Sequence, residues 1–391
     1  MGYVAVKGGT DAIRASTERL RYERLKHGVS LDVRQARAGL RGLVDQVMSE
    51  ASLYDEPVAA HAIKQAEGSP EEAVFLLRAY RSTLPRLHTT VPIDGTSARV
   101  ERRISAAFKD VPGGQILGAG YDYVHRLLDD TLMHEEETDV RAWLERWRDA
   151  SRAQALPNDA GRLDGLPKVA DYLRAQGLME PRENDDTPPD DVTKRALRIP
   201  ASRSERLQVL TRGQTGTVTS LGYASLRGYG PMLHPTVGEL RVAALPLTIP
   251  NPLASHENEA VGGSDPTLHA DPDDGYYLGE IRITEVETVV PVQEPGGEER
   301  QALRFDLGYG ACFGQNETKA IAMSLLDQCL EHPDSRHPTH DEEFILMHVD
   351  SVEATGFISH LKLPHYVTFQ SELDAVRRTH QPDAVSGEED A

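Results

Sequence analysis

The sequence predicts an α+β protein: a helical N-terminal region followed by a mixed α/β domain with a largely antiparallel sheet. Three observations point that way. Apolar residues recur at helical spacing through most of residues 11–90. Residues 237–249 and 278–292 alternate in polarity and are rich in β-branched side chains, as strands are. Helical patterns come first and strand patterns later, without an internal repeat, which argues against a regular βαβ array.

Taken in order, Tyr3 to Val6 read as a short strand, and Gly8, Gly9 and Thr10 as a turn into a helix. A strand, glycines and a helix N-terminus can cradle a phosphate, although the same pattern more often just ends a strand. Leu40, Leu43, Val44 and Val47 share one helix face, and residues 71–80 open a helix with acids in its first turn. Residues 99–109 read as a helix bearing Arg99, Arg102, Arg103 and Lys109. With Glu101 among them, a solvated, locally ion-paired face is favoured over an anion clamp. Pro112, Gly113 and Gly114 make a turn, and residues 121–132 begin another helix. Residues 134–165 are polar and acidic, with a short helix around Trp143 and Trp147.

Residues 180–193 combine prolines and acids with almost no apolar residue and read as a linker. It divides a mainly helical region, residues 1–180, from a mixed α/β domain, residues 194–380. Just after it, Lys194, Arg195, Arg198, Arg203, Arg206 and Arg212 stand against a single acid, Glu205. Residues 217–230 read as strands and turns, and residues 250–275 as a polar loop whose composition favours disorder. Residues 303–330 read as a strand, a glycine turn and a buried helix that Asn316 can cap. Residues 343–349 read as a strand, a last helix starts near residue 367, and residues 381–391 form a disordered acidic tail.

Composition narrows the function. The 391 residues carry 42 Lys and Arg against 62 Asp and Glu, a net charge of −20. Such a chain does not attract nucleic acid by bulk charge. A bound anion therefore needs local positive charge, a metal or a partner. No run of about 18 apolar residues suggests a membrane span. The first residues lack the charged and apolar regions of a signal peptide, so a cytoplasmic protein is expected. Cys312 and Cys329 lie in apolar surroundings, as thiols in a reducing compartment do.

Three groups of residues carry chemistry. Gly308, Gly310 and Gly314 resemble a dinucleotide loop, but the third glycine is one residue late and no acid stands about 20 residues on. A tight turn packed against a helix is favoured, with a phosphate-binding turn as the alternative. Asp341, Glu342, Glu343, His348 and Asp350 form an acidic cluster, and on a strand the carboxylates at 341 and 343 would share a face. Breaking a glycosidic bond requires a negative group near an oxocarbenium-like carbon and an acid for the leaving group. Spacing alone favours solvated acids. His360 and His365 stand five apart around Pro364. On a continuous helix they would diverge by about 140°, but Pro364 breaks that helix, and around a bend the imidazoles can face a common point. Two histidines are too few for a closed zinc site, so spacing leaves packing and half a metal site open.

The blocks MGYVAVKGG, RRISAAFKDVPGGQILGAGYDYVHRLLD, SRSERLQVL, GYGACFGQNETKAIAMSLLD and DEEFILMHVDSVEATGFISHLKLPHYVTFQSEL closely resemble the PhnI family, subunits of the bacterial carbon–phosphorus lyase core complex. The resemblance covers nearly all of the chain except about 134–165, 250–275, 293–300 and the acidic tail. It implies that the base of ATP, carried with magnesium, is displaced and an alkylphosphonate attached at ribose C1. The product is ribose 1-alkylphosphonate 5-triphosphate plus adenine, with nucleosidase activity in the isolated subunit. The resemblance also implies the partners PhnG, PhnH, PhnL and PhnJ, the last a radical lyase, and a zinc ion held by His360 and His365 near the PhnJ interface. The candidate catalytic residues are then Asp341, Glu342, Glu343, His348 and Asp350. For the substrate's phosphates, Arg203, Arg206 and Arg227 are the candidates, because Arg suits bidentate contact with phosphoryl oxygens. The alternative is a scaffold that completes an interface zinc site while catalysis lies elsewhere.

Overall fold

The structure, a computed structural model, describes residues 9–153, 165–181, 187–228, 235–251, 275–293 and 303–380. Among the described residues five helices come first: α1 (Gly9–Leu25), α2 (Val33–Gly39), α3 (Arg41–Ala51), α4 (Glu56–Gln65) and α5 (Pro70–Ser82). Then follow β1 (Arg99–Ile104), α6 (Glu137–Ala153), α7 (Val169–Ala175), α8 (Arg203–Arg212) and α9 (Thr215–Leu226). The long strands β2 (Thr236–Pro250), β3 (Gly275–Gln293) and β4 (Leu303–Phe313) precede α10 (Glu317–Glu331), α11 (Glu342–His348), α12 (Ser351–Ser359) and α13 (Tyr366–Thr379). The α+β expectation holds: the four strands form one antiparallel sheet in the order β1-β2-β3-β4.

Local chemistry starts the helices. Asp32, Asp55, Ser69 and Asn316 each accept a backbone N–H of the helix they precede, a cap worth about 1 kcal/mol. Helices α2 to α5 bury Ala36, Val47, Met48, Ile63 and Leu77 in one core, against which Val352 of α12 also packs. A second core joins the sheet to α8 through α11, with Leu210, Val218, Leu240, Val286, Met323 and Ile345 at its centre. A third lies on the opposite sheet face, where Val169 and Leu173 of α7 meet Val289 and Leu307.

The glycines of β4 belong to the second core. A Cβ on Gly308 or Gly310 would run into the carbonyls of Ser324 and Ala320 on α10. They are glycine because a helix backbone lies directly on the strand. Gly314 turns the chain with φ +68°, and the Asp45 carboxylate fills the space beside it. Asp45 also accepts the Gln315 N–H at 2.9 Å. The turn thus receives an anion from the chain itself, at the place where a phosphate was the alternative.

Four elements differ from expectation. Residues 99–104 form an edge strand, not a helix: Arg102 and Arg103 are buried on opposite faces and neutralised by distant acids. Residues 215–226 are helical despite their glycines and β-branched residues, because Gly222 lets α9 approach Ala322 of α10. Residues 342–348 are helical, since Asp341 caps the first turn and Ile345 and Leu346 face the core. The stretch 121–129 holds turns rather than a helix, followed by a 3-10 turn at Asp130–His134. The sheet is also shared across the expected linker, because β1 comes from before it and pairs with β2 after it. The expected strand at Tyr3 to Val6, the loop interior at 252–274 and the acidic tail lie outside the described residues.

The face of the sheet away from α10 carries charge. Glu239 accepts from Arg103 Nε and Arg241 Nε, each at 2.5 Å, and from the Val169 N–H at 2.9 Å. Beside it, Lys168 bridges Glu285 at 2.6 Å and Glu287 at 3.2 Å. On the opposite side of β4, at the end of α10, His332 Nε2 lies 2.8 Å from Asp306. The hydrogen bond to Asp306 raises the His332 pKa. Burial opposes charge on Asp306, but His332 wins and lowers its pKa. The histidine's contribution is present below its unfolded value of about 6.5, and the aspartate's above about 3.9. We expect the difference in thermal midpoint between the parent and His332→Gln to be largest between about pH 4 and 6.5 and to shrink above it. A difference that is flat with pH would remove this pair from the stability of the fold.

Candidate functional site

The histidine pair sits where α12 ends and α13 begins. His360 closes α12 and opens a 3-10 turn, and His365 is the N-cap residue of α13. Leu363 leaves the turn extended, as the residue before a proline must. The chain bends, and the two rings come to 5.4 Å between centroids, inclined by 61°. Both rings are oriented by backbone. His365 Nδ1 lies 2.6 Å from the Leu363 carbonyl, and His360 Nδ1 contacts the Phe357 carbonyl. A carbonyl only accepts, so each Nδ1 carries a proton, and in the neutral imidazole the lone pair is the one on Nε2. An imidazole held in this way by its other nitrogen is the usual state of a metal ligand. Among the described residues no set of three or more His, Cys, Asp or Glu is clustered to hold a metal.

The arm around the pair is apolar and uncovered. Phe357 is 71% exposed, Tyr366 70% and Val367 72%, and α13 buries no residue. An isolated surface apolar residue is ordinary, whereas a continuous set marks an interaction face.

The acidic cluster divides by structural duty. Asp341 caps α11, accepting the Phe344 N–H at 3.0 Å. Asp350 caps α12 and takes two contacts from Arg78 Nη1 at 2.6 and 2.9 Å. Glu342 accepts the Ala201 N–H at 2.8 Å. Glu343 is exposed. His348 is exposed too, with Nδ1 2.6 Å from the Phe344 carbonyl. Because α11 is a helix, the carboxylates at 341 and 343 do not share a strand face. Glu343 and His348, five apart, diverge by about 140°.

The three arginines are not brought together as a set. Arg203 meets the fully buried Asp327 at 2.5 and 3.1 Å and lines a cleft of about 500 Å³ with Arg174 and Tyr309. Burial opposes its charge, but Asp327 outweighs burial and raises its pKa. Arg206 is paired with Glu331. Arg227, at the end of α9, is exposed and stacks 5.8 Å over the Tyr223 ring. A second cleft, of about 520 Å³, opens between α3 and the start of α10, where Arg41, Arg126 and Arg282 are balanced by Asp45, Asp122 and Glu317.

Sequence reasoning missed Arg78 altogether. It donates to the Glu50 carbonyl at 3.0 and 2.8 Å and to the Arg212 carbonyl at 3.1 Å, besides holding Asp350. It thus places one cation at the C-terminal ends of both α3 and α8, where helix dipoles favour it. No local signal could have found it, because its partners lie up to 272 residues away.

The fold and this site define an α+β protein that exposes an apolar arm bearing two imidazoles whose Nδ1 atoms are held by backbone carbonyls. The family model for the bacterial phosphonate metabolism protein PhnI matches residues 2–383. The chain is 42% identical to the alpha-D-ribose 1-methylphosphonate 5-triphosphate synthase subunit PhnI of Escherichia coli, over 97% of this chain and 98% of the relative. It is 41% identical to the subunit of the same name from Rhizobium meliloti, over 96% and 94% of the two chains. It is 42% identical to HtxH of Stutzerimonas stutzeri, over 97% and 96%. The chain belongs to the PhnI family. No helix among the described residues is long and apolar enough to cross a membrane.

Proposed function

We propose that this chain is the subunit at which an alkylphosphonate replaces the base of ATP, within a complex containing PhnG, PhnH, PhnJ and PhnL. The observation that carries the reading is family membership over residues 2–383, with relatives named as subunits of a ribose 1-methylphosphonate 5-triphosphate synthase. A phosphonate oxygen bonds to C1 of the ribose as the C1–N bond to adenine breaks. The phosphonate gives up one proton and the departing purine takes one, so the step balances. Positive charge develops on the ribose, and a carboxylate stabilises it there.

Of the four candidate carboxylates, Glu343 is the one we assign to that role. Asp341, Glu342 and Asp350 are engaged by backbone N–H groups. Their use in catalysis would cost caps and buried contacts, whereas Glu343 is exposed. His360 and His365 supply two ligands of a zinc site that the partner carrying the radical chemistry completes. Zinc there would act as a Lewis acid or hold an oxyanion in place.

The chain incubated with ATP should release adenine, and Glu343→Gln should slow release by about 100-fold or more, the usual loss for a group acting on the reacting centre. Chromatographic detection of adenine decides it. No adenine from the parent, alone or with its partners, would remove the ribosyl chemistry. A parent-like rate in Glu343→Gln would remove that residue.

The scaffold reading is the second proposal. It is favoured by the exposed apolar arm and predicts that adenine release persists when this chain is replaced by a catalytically silent variant.

A further inference from the structure

Along the charged face of the sheet, ionised side chains give way to apolar ones. On that face β2 reads Glu239, Arg241, Ala243, Leu245, and β3, paired with it, reads Glu287, Glu285, Ile283. A cavity of about 320 Å³ opens where the character changes. Its volume is at the low end of the about 300–1,000 Å³ of small-molecule sites. Ala243, Leu245 and Ile283 line it from the sheet. Gly95 and Ala98, from the turn before β1, and Lys168, the residue before α7, line it from the covering segments.

The polar end of the cavity is built, yet only partly satisfied. Lys168 Nζ has three donors and gives one to Glu285 Oε1 at 2.6 Å and one to Glu287 Oε1 at 3.2 Å. The Tyr309 hydroxyl donates to the same Oε1 of Glu285 at 2.9 Å, so Glu285 Oε2 accepts from neither. Glu287 Oε2 is buried with no hydrogen-bond partner among the described residues. Burial opposes the charge of Lys168, but Glu285 and Glu287 outweigh it and raise its pKa. Burial, then the charge of Glu285, holds the Tyr309 phenol well above its usual value. The lysine therefore stays a cation and the phenol a donor. Across this face Arg103, Arg241 and Lys168 stand against Glu239, Glu285 and Glu287. The formal charges balance, so the cavity offers a donor beside an acceptor without favouring an anion.

We propose that this cavity binds an amino-bearing purine base, adenine, with Glu285 accepting from the amino group and Lys168 donating to the neighbouring ring nitrogen. One edge of adenine presents the acceptor N7 beside the donor on N6. Proteins that hold an unstacked base read its edge through hydrogen bonds and pack its faces between apolar side chains. Here Lys168 and Glu285 meet the edge, and Ala98, Leu245 and Ile283 supply the packing. A base with two acceptors on that edge would leave the Glu285 carboxylate unmatched. The site is separate from the reacting centre assigned to Glu343. That residue stands on α11, whose Ile345 and Leu346 enter the core on the other side of the sheet. The base held here is therefore a second one, and binding it needs no ribosyl transfer.

The test is titration of the full chain with adenine, read by calorimetry and by the thermal midpoint, which a ligand of the folded state raises. Hypoxanthine carries a carbonyl oxygen in place of the amino group and should bind about 10-fold more weakly, or worse. Inorganic tripolyphosphate should not displace adenine. Gly95→Leu should block the site. A Cβ at Gly95 meets only Lys168, at 3.6 Å from Nζ, so the larger residue adds bulk beside the lysine without a clash at its root. Its ligand-free midpoint should match that of the parent, and its adenine response should vanish. Glu285→Gln should weaken adenine binding about 10-fold or more, the loss of one charge-assisted contact.

No adenine response in the parent, or an equal response in parent and Gly95→Leu, would overturn the site. Hypoxanthine binding as tightly as adenine would overturn the pairing of donor with acceptor. Displacement of adenine by tripolyphosphate would mark an anion site and overturn the purine assignment. If Gly95→Leu does not fold, Glu285→Gln decides, and parent-like adenine affinity there overturns the proposal. Adenine release from ATP is read separately. Binding that Gly95→Leu abolishes, in a chain that releases no adenine, keeps the cavity site and removes the ribosyl chemistry, and the opposite pattern removes the cavity site alone.

Discussion

Zinc in the assembled complex should fall by at least about 100-fold in affinity when either His360 or His365 is replaced by alanine, since even loss of an outer hydrogen-bond partner costs 10–100-fold. The expectation rests on the two Nδ1 positions, each turned to a backbone carbonyl, and on rings 5.4 Å apart. Two imidazoles do not close a zinc site, so the chain alone should hold zinc weakly and the complex tightly. Metal content measured on purified complexes of the parent and of each variant decides the matter. Equal zinc in all three would end the ligand assignment. The substitutions should not unfold the chain, because His365 is exposed and His360 only half-buried. Any loss of zinc is then read against intact helical content.

A larger effect on stability is expected from Glu239→Ala. This one carboxylate joins Arg103, Arg241 and the first N–H of α7. The two guanidinium groups also reach the Pro167 and Leu166 carbonyls at 2.8 and 2.9 Å, so the network ties β1 and β2 to the segment that covers them. Removing the acid leaves two buried cations without a counter-charge, which costs about 3–5 kcal/mol. Burial opposes ionisation of Glu239, but the two arginines outweigh it and lower its pKa. Its contribution is therefore present above the unfolded value of about 4.3 and is lost as pH falls through the folded value. Urea unfolding at neutral pH should show the full loss. A change below about 1 kcal/mol, the range of an exposed pair, would mean that the cluster is solvated.

The unevenness of what could be read from the chain has a physical pattern. The helices of residues 11–90 were legible because their caps and apolar periodicity lie within a few residues of one another. The same holds for β2, β3, β4 and α10, whose alternation or cap is local. The edge strand β1 was not legible. Its arginines look like a solvated helix face until Glu239 and Glu317, 136 and 215 residues away, neutralise them. The strand expected at 343–349 failed for a related reason, since the core that Ile345 and Leu346 enter is built by α8 and the sheet. The glycines of β4 were legible as packed against a helix, but not as strand: Gly308 and Gly310 lie within β4 under the α10 backbone, and of the three only Gly314 turns the chain.

The histidine pair shows the division most clearly. The sequence by itself determined the α+β class, the family resemblance and the break at Pro364 that forbids a helical chelate. Contacts two or three residues apart along the chain hold both Nδ1 atoms on carbonyls and cap α11 and α12. Tertiary structure alone decided that Glu342 meets the Ala201 N–H and that Arg78 joins Asp350 to the Arg212 carbonyl. Propensity, caps and periodicity act over about one or two helical turns. Burial and ion pairing act through space between residues the chain separates by hundreds of positions, so their outcome appears only once the chain is folded.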